Sequence, residues 1–271
     1  YLGTNIGVAV GPLIAGLLFE NYTKWIFIGD ALTTFVALIL ILISVHETKP
    51  TEKDIEEIKE SNRVNEKAVE GSTFNAFFSR PYLVFFCIFA TLLSFVYSQH
   101  SFTIPLQLSE LFNDTGSKIF GYIMSINGLV VILTTPVLIY VTKKLKPIQC
   151  VAISGILFSI GFGMLYFAKG ILIFFISAII WTLGEVLEST QRGVYIANHS
   201  PITHRGRFNS LFEIVRGTGY AVGPMIIGKY LRNGNTIQSV WSKCFIIGLI
   251  ACILLYVLDI LDEKNSKQSS H

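Results

Sequence analysis

The chain is 271 residues long, carries a formal net charge of +3, and is 52% hydrophobic but only 14% charged. A soluble domain of that size holds about a quarter charged residues, so a mean hydropathy of +0.58 makes lipid, not water, the main solvent. The same composition excludes a nucleic-acid surface, because no basic patch with interleaved aromatics is present.

A helix crosses the hydrocarbon core with about 20 apolar residues. Eight stretches meet or approach that length: about 2–19, 25–45, 82–106, 119–141, 148–168, 171–197, 208–231 and 241–261. Runs this long predict an all-α membrane protein, since barrel strands are short and strictly alternating. The first stretch opens at Tyr1 with neither an initiator Met nor a signal-peptide layout, so the expectation is a C-terminal fragment of a longer protein. It contains Gly7-Val-Ala-Val-Gly11-Pro12-Leu-Ile-Ala15-Gly16. Pro12 removes a helical backbone bond and the glycines admit a close neighbour, a combination suited to a tight seal or pivot. The second stretch opens at Trp25 and carries Asp30 near one end.

From His46 to Arg80 the composition turns hydrophilic, with eight of the 18 acidic residues and six Lys or Arg. Thr51-Glu-Lys-Asp54 is a capping signal for a surface helix whose shallow apolar side is Ile55 and Ile58. This segment is a linker over 46–81, and Pro81 suits the first turn of the helix that follows.

The third stretch carries Phe85, Phe86, Phe89, Phe95 and Tyr97, then Gln99 and His100. Most of these rings are expected against lipid or neighbouring helices. Gln99 and His100 are candidates for a cavity that takes amphiphilic solutes, which pairs aromatics with a few polar groups, and His100 is also a candidate proton relay. The fourth stretch offers Asn127. Cys87, Cys150, Cys244 and Cys252 form no CxxC pair and read as small apolar side chains, with no metal site, disulfide frame or cofactor implied.

The sixth stretch holds Trp181, Glu185, Glu188 and Arg192. At helical spacing these fall within roughly a 60° arc. Each charge facing lipid at mid-membrane costs about 2.5–3.5 kcal/mol, and three cost on the order of 8–10 kcal/mol, so this face points into the bundle or a wet cavity. Glu188 and Arg192 are spaced to pair, as a coupling element or as a structural lock between helices. Glu185 is then the candidate proton carrier or counter-charge for a cationic solute; the alternative is a permanently paired structural group.

Glu213 and Arg216 lie three residues apart in the seventh stretch, behind Arg205 and Arg207. Together these four are candidates for a gate of breakable ion pairs; the alternative is an interfacial pair at a helix start. The same stretch repeats the first motif as Gly219-Tyr-Ala-Val-Gly223-Pro224-Met-Ile-Ile227-Gly228, and Trp241 follows this copy as Trp25 follows the first. A same-direction repeat around a hydrophilic linker predicts two bundles. Residues 1–45 are then the last two helices of the first six-helix bundle, 82–262 the complete second bundle, and 263–271 a tail. By symmetry about 130 residues with four helices precede Tyr1.

Placing the linker and tail in the cytoplasm puts 13 Lys or Arg on that side against six on the other, as the positive-inside bias favours. Trp25 and Trp241 then sit at the outer interface.

At this point the chain resembles the major facilitator superfamily over its whole length, as helices 5 to 12. Gly7, Gly11, Pro12 and Gly16 look like the family's helix-5 antiporter motif, GxxxGPxxGG, departing from it at Ala15. Ser200-Pro201-Ile-Thr-His-Arg205-Gly206-Arg207 is similar to the family's Pro-x-x-x-Arg-Gly-Arg loop. The loop Thr142-Lys143-Lys144-Leu-Lys146-Pro147 keeps the positive charge of the family's signature loop without its Gly-x-x-x-Asp-Arg order. The resemblance implies a cell-membrane, multi-pass monomer that exports a small drug-like solute in exchange for protons. It implies a cavity lined by helices 7 and 10, with Trp181, Gln99, His100 and Asn127 as candidate contacts. A metabolite symporter or facilitator is the alternative on the same fold. A membrane enzyme lacks a visible catalytic constellation, and a transporter-like sensor lacks a long C-terminal output domain.

Overall fold

A computed structural model describes residues 2–45, 51–60 and 73–268, and among them all regular structure is helical. Helix α1 (Leu2–Ser44) is two segments meeting at Tyr22, whose φ of −133° breaks the helix. The expected linker contributes α2 (Glu52–Glu60), where the Ile55 N–H donates to the Thr51 carbonyl at 3.1 Å. Residues 46–50 and 61–72 of the linker and 269–271 of the tail lie outside the described residues.

The linker also holds a helix that its composition does not announce, α3 (Thr73–Phe78). Ala76 and Phe77 are buried, and Phe77 packs edge-on against Phe208 with ring centroids 5.5 Å apart. Arg80 lies over the same Phe208 ring, 5.7 Å from its centroid. Two apolar side chains one residue apart, placed beside the membrane entry, suffice to dock this single turn.

The rest of the chain is α4 (Pro81–Tyr97), α5 (Gln99–Phe112), α6 (Gly116–Thr142), α7 (Pro147–Gly163), α8 (Ile171–Asn198), α9 (Arg205–Arg232) and α10 (Ile237–Gln268). Pro81 and Pro147 occupy first helical turns, where the missing N–H costs nothing. The stretch expected as one helix over 82–106 is divided at Ser98 and runs on to Phe112. The physical reason is local competition for carbonyls: the Ser98 hydroxyl donates to the Phe95 carbonyl at 2.7 Å, and Pro105 withholds a backbone donor about two turns later. Gly234, at φ +86°, ends α9 in the left-handed conformation that favours glycine.

Among the described residues, five stretches are long and apolar enough to cross a membrane: Tyr22–Ser44, Pro81–Thr142, Pro147–Phe167, Ile171–Asn198 and Ile237–Asn265. The second is 62 residues long, about three times what a bilayer takes. It doubles back at Asn113–Thr115, where α5 and α6 pack side by side. The stretches expected at 2–19 and 208–231 are not among the five. For α9 the reason is composition: Arg205, Arg207, Glu213, Arg216, Lys229 and Arg232 interrupt its apolar surface.

Helices α4, α7, α8 and α10 enclose the core. Phe162 is sandwiched between Trp181 and Trp241, at 5.8 and 6.0 Å with nearly parallel rings. Trp241 is fully buried among the helices, so its ring packs against protein. The buried indole needs a partner for its N–H, and Trp241 Nε1 donates to Gln107 Oε1 at 2.8 Å. Trp25 remains 57% exposed.

The second glycine motif packs α9 onto α4 and α5. A Cβ on Gly219 would strike the Thr91 carbonyl oxygen, and one on Gly223 the Ser98 hydroxyl. Around Gly7 and Gly11 of the first motif there is open space within 4 Å. The surroundings of Pro12 and Gly16 are outside the described residues.

Candidate functional site

Helix α8 brings Glu185, Glu188 and Arg192 to one face, and that face borders a cavity of about 420 Å³ between α4, α7, α8 and α9. Arg216 joins them from α9, Tyr97 and Ser94 from α4, and Phe158 from α7. The volume lies within the range for small-molecule sites. Glu185 is 9% exposed and Glu188 8%. Burial on that scale demands polar partners for each carboxylate.

Glu188 receives Arg192 Nη1 at 2.8 Å on both of its oxygens. Arg192 Nη2 also reaches Glu213 on α9 at 3.0 Å. Arg216 stands 3.6 Å from Glu213 and 3.9 Å from Glu188, and its Nη1 donates to Ser94 Oγ at 3.1 Å. Two pairs that the sequence presents as separate, one per helix, therefore form a single charge-balanced ring. Glu185 is held from α6: Asn127 Nδ2 donates to Glu185 Oε2 at 2.8 Å and to Thr182 Oγ1 at 2.9 Å.

The four residues expected to line a substrate cavity do not line this one. Trp181 is fully buried behind it, against Phe162. His100 stacks on Trp181 at 5.5 Å and its Nδ1 lies 2.7 Å from the Tyr97 carbonyl. Gln99 Nε2 donates to Ser98 Oγ at 2.9 Å, and Gln99 Oε1 accepts from Thr103 at 2.7 Å. Asn127 acts on Glu185 from the α6 side. Conversely Ser94 and Phe158 border the cavity without being singled out by the sequence, together with Tyr97 from the aromatic run of the third stretch. Tyr97 and Ser94 share a face at i,i+3, a signal hidden among the phenylalanines.

Arg205 and Arg207 are expected to join Glu213 and Arg216 in a gate. Arg207 Nη1 donates to Thr73 Oγ1 of α3 at 3.3 Å, and Arg205 opens α9. The ion pairs described for Glu213 and Arg216 run among themselves and to Glu188 and Arg192. Among the described residues no group of three or more His, Cys, Asp or Glu is arranged to hold a metal ion.

The sequence profile of the Major Facilitator Superfamily matches residues 1–190 and 108–271. Among curated proteins, the chain is 23% identical to the uncharacterized MFS-type transporter YhjO of Bacillus subtilis over 96% of this chain and 61% of that protein. It is 22% identical to a Na(+), Li(+), K(+)/H(+) antiporter of Planococcus maritimus over 84% of this chain and 57% of the antiporter. The chain thus spans less than two thirds of the length of these relatives. Among solved structures it resembles a POT family transporter crystallised with a thioalcohol-conjugated peptide, with a TM-score of 0.56 at 16% identity. That match covers 97% of this chain and 54% of the other, a likeness of fold alone.

Proposed function

Because the chain belongs to the Major Facilitator Superfamily, a family of membrane transporters and not of enzymes, we propose that it forms helices 5 to 12 of a twelve-helix, proton-coupled exporter of small drug-like solutes. In this reading the protein is a monomer in the cell membrane, with the linker and C-terminus in the cytoplasm. The complete protein binds solute between two bundles and exposes it to either side in turn. Gly7, Gly11, Pro12 and Gly16 contribute the helix-5 seal.

The observation that carries the reading is Glu185, an acid 9% exposed on the wall of a cavity whose other faces include Tyr97 and Phe158. Aromatic faces beside a carboxylate attract a solute cation. A proton arriving on Glu185 cancels that attraction and releases the solute, while solute arriving expels the proton. This competition is sufficient for exchange, since each ligand then favours a different access state. The four-charge ring of Glu188, Arg192, Glu213 and Arg216 serves as the gate.

The full-length protein in inside-out vesicles with a pH-sensitive dye provides the test. Lipophilic cations should dissipate an imposed proton gradient in wild type, and Glu185→Gln should abolish that response. Dissipation that persists in Glu185→Gln removes this acid from the coupling path. A second reading, exchange of monovalent metal cations for protons, is favoured by the similarity to the Planococcus antiporter. Sodium, lithium or potassium pulses in the same vesicles separate the two.

A further inference from the structure

Asn127 lies within α6 and is 3% exposed. Its amide nitrogen carries two protons, and both are committed to α8, one to Thr182 Oγ1 at 2.9 Å and one to Glu185 Oε2 at 2.8 Å. Thr182 and Glu185 are three residues apart and share a helix face. The amide nitrogen therefore bridges two oxygens on one face of α8, a hydroxyl and a carboxylate. An amide N–H can only donate, and a donor fixed on a carboxylate oxygen favours the ionised acid over the protonated one.

The remaining titratable groups bordering the cavity are Tyr97 from α4, Glu188 and Arg192 from α8, and Arg216 from α9; α7 contributes the apolar Phe158. What α6 brings to Glu185 is a neutral donor. A fixed cation in its place would attract the carboxylate over a longer range and oppose proton uptake more strongly. An amide biases the acid through one short, directional bond and leaves protonation accessible.

We propose that Asn127 is a positioning residue for Glu185, aimed by Thr182, and that this amide sets the pH at which Glu185 takes up its proton. The inference rests on the reading of Glu185 as the proton carrier. It also assigns Asn127 a role other than contact with solute.

The test uses the full-length protein in lipid nanodiscs and follows the carboxylic-acid stretching band that Glu185→Gln removes from the infrared difference spectrum. The band is titrated in wild type, Asn127→Leu and Asn127→Ser, with monodispersity on a sizing column as the control for folding. Both variants should keep the protonated band to higher pH, by about one pH unit or tenfold in proton affinity. The Ser variant is too short to reach across to α8 yet keeps a polar group, so it carries the test if the Leu variant does not fold. A band midpoint equal to wild type in a folded variant overturns the proposal. The coupling reading fails separately, if the wild-type band titrates but solute moves without protons in the vesicle assay.

Discussion

Arg192 on α8 meets Glu213 on α9 at 3.0 Å, and this contact closes a ring in which each of two arginines faces both of two carboxylates. The ring is uneven. Arg192 lies at 2.8 Å from Glu188, whereas Arg216 stands 3.6 and 3.9 Å from its two acids. The backbones of α8 and α9 otherwise touch sparsely compared with α7 and α8. The tie between these helices is thus largely ionic.

That unevenness makes the members of the ring unequal on mutation. Arg192→Ala leaves the buried Glu188 without its bidentate partner, a loss of about 3–5 kcal/mol. Glu213 has a side chain 52% exposed, so Glu213→Ala should cost no more than about 1 kcal/mol. Thermal midpoints of the detergent-solubilised protein should rank the two in that order, and adding Glu188→Gln to Arg192→Ala should recover part of the loss. Equal midpoints would mean that Glu188 does not depend on Arg192.

The glycines of the two motifs should respond unequally in this chain. Gly219→Ala drives a methyl group into the Thr91 backbone carbonyl, which cannot swing aside, and overpacking of this kind costs about 1–3 kcal/mol. Gly228→Ala meets only Phe102 at 3.5 Å, an ordinary contact, and Gly7→Ala and Gly11→Ala meet nothing within 4 Å. These three should leave the midpoint of the 271-residue chain unmoved. A full-length protein destabilised by Gly11→Ala would then locate that glycine's partner beyond this chain.

Trp241→Phe should destabilise far more than Trp25→Phe. The first removes the donor to Gln107 Oε1 and leaves that oxygen fully buried, a penalty of about 1–3 kcal/mol. The second alters a side chain 57% exposed in this chain, where substitutions stay within about 0.5 kcal/mol. Comparable shifts of the thermal midpoint would contradict the buried bond.

How much of this is legible in the sequence divides along physical lines. Helical class and the charged face of α8 follow from local apolarity and 3.6-residue spacing, both properties of one segment at a time. The Glu188–Arg192 pair is of the same kind. The joining of that pair to Glu213 and Arg216 depends on how α9 lies against α8, which no single-helix pattern encodes. The burial of Trp241 is hidden for a related reason: its partner, Gln107, is 134 residues away in the chain. Helix α3 is obscured by the hydrophilic residues around it, and only Phe77 finding Phe208 reveals it.

At the linker-side end of the second bundle, Lys146 Nζ lies 2.7 Å from Glu263 and 3.1 Å from Asp259, both on α10. Chiefly its hydrogen bond to Glu263, joined by the bond and charge of Asp259 against some desolvation, raises the Lys146 amine above its ordinary value of 10.5. A raised amine contributes stability that is complete below the unfolded value and disappears as pH climbs through the folded one. The tie is therefore constant across roughly pH 6 to 9. Because the Lys146 side chain is 43% exposed, water screens the pair, and Lys146→Gln should cost at most about 1 kcal/mol. Asp259 keeps a second donor in that variant, Gln149 Nε2 at 2.8 Å, which limits the loss further. The gap between wild-type and Lys146→Gln midpoints should hold steady through neutral pH and narrow only above 10.5, the ordinary amine value. A gap that closes near neutrality would assign the effect to a group other than the Lys146 amine.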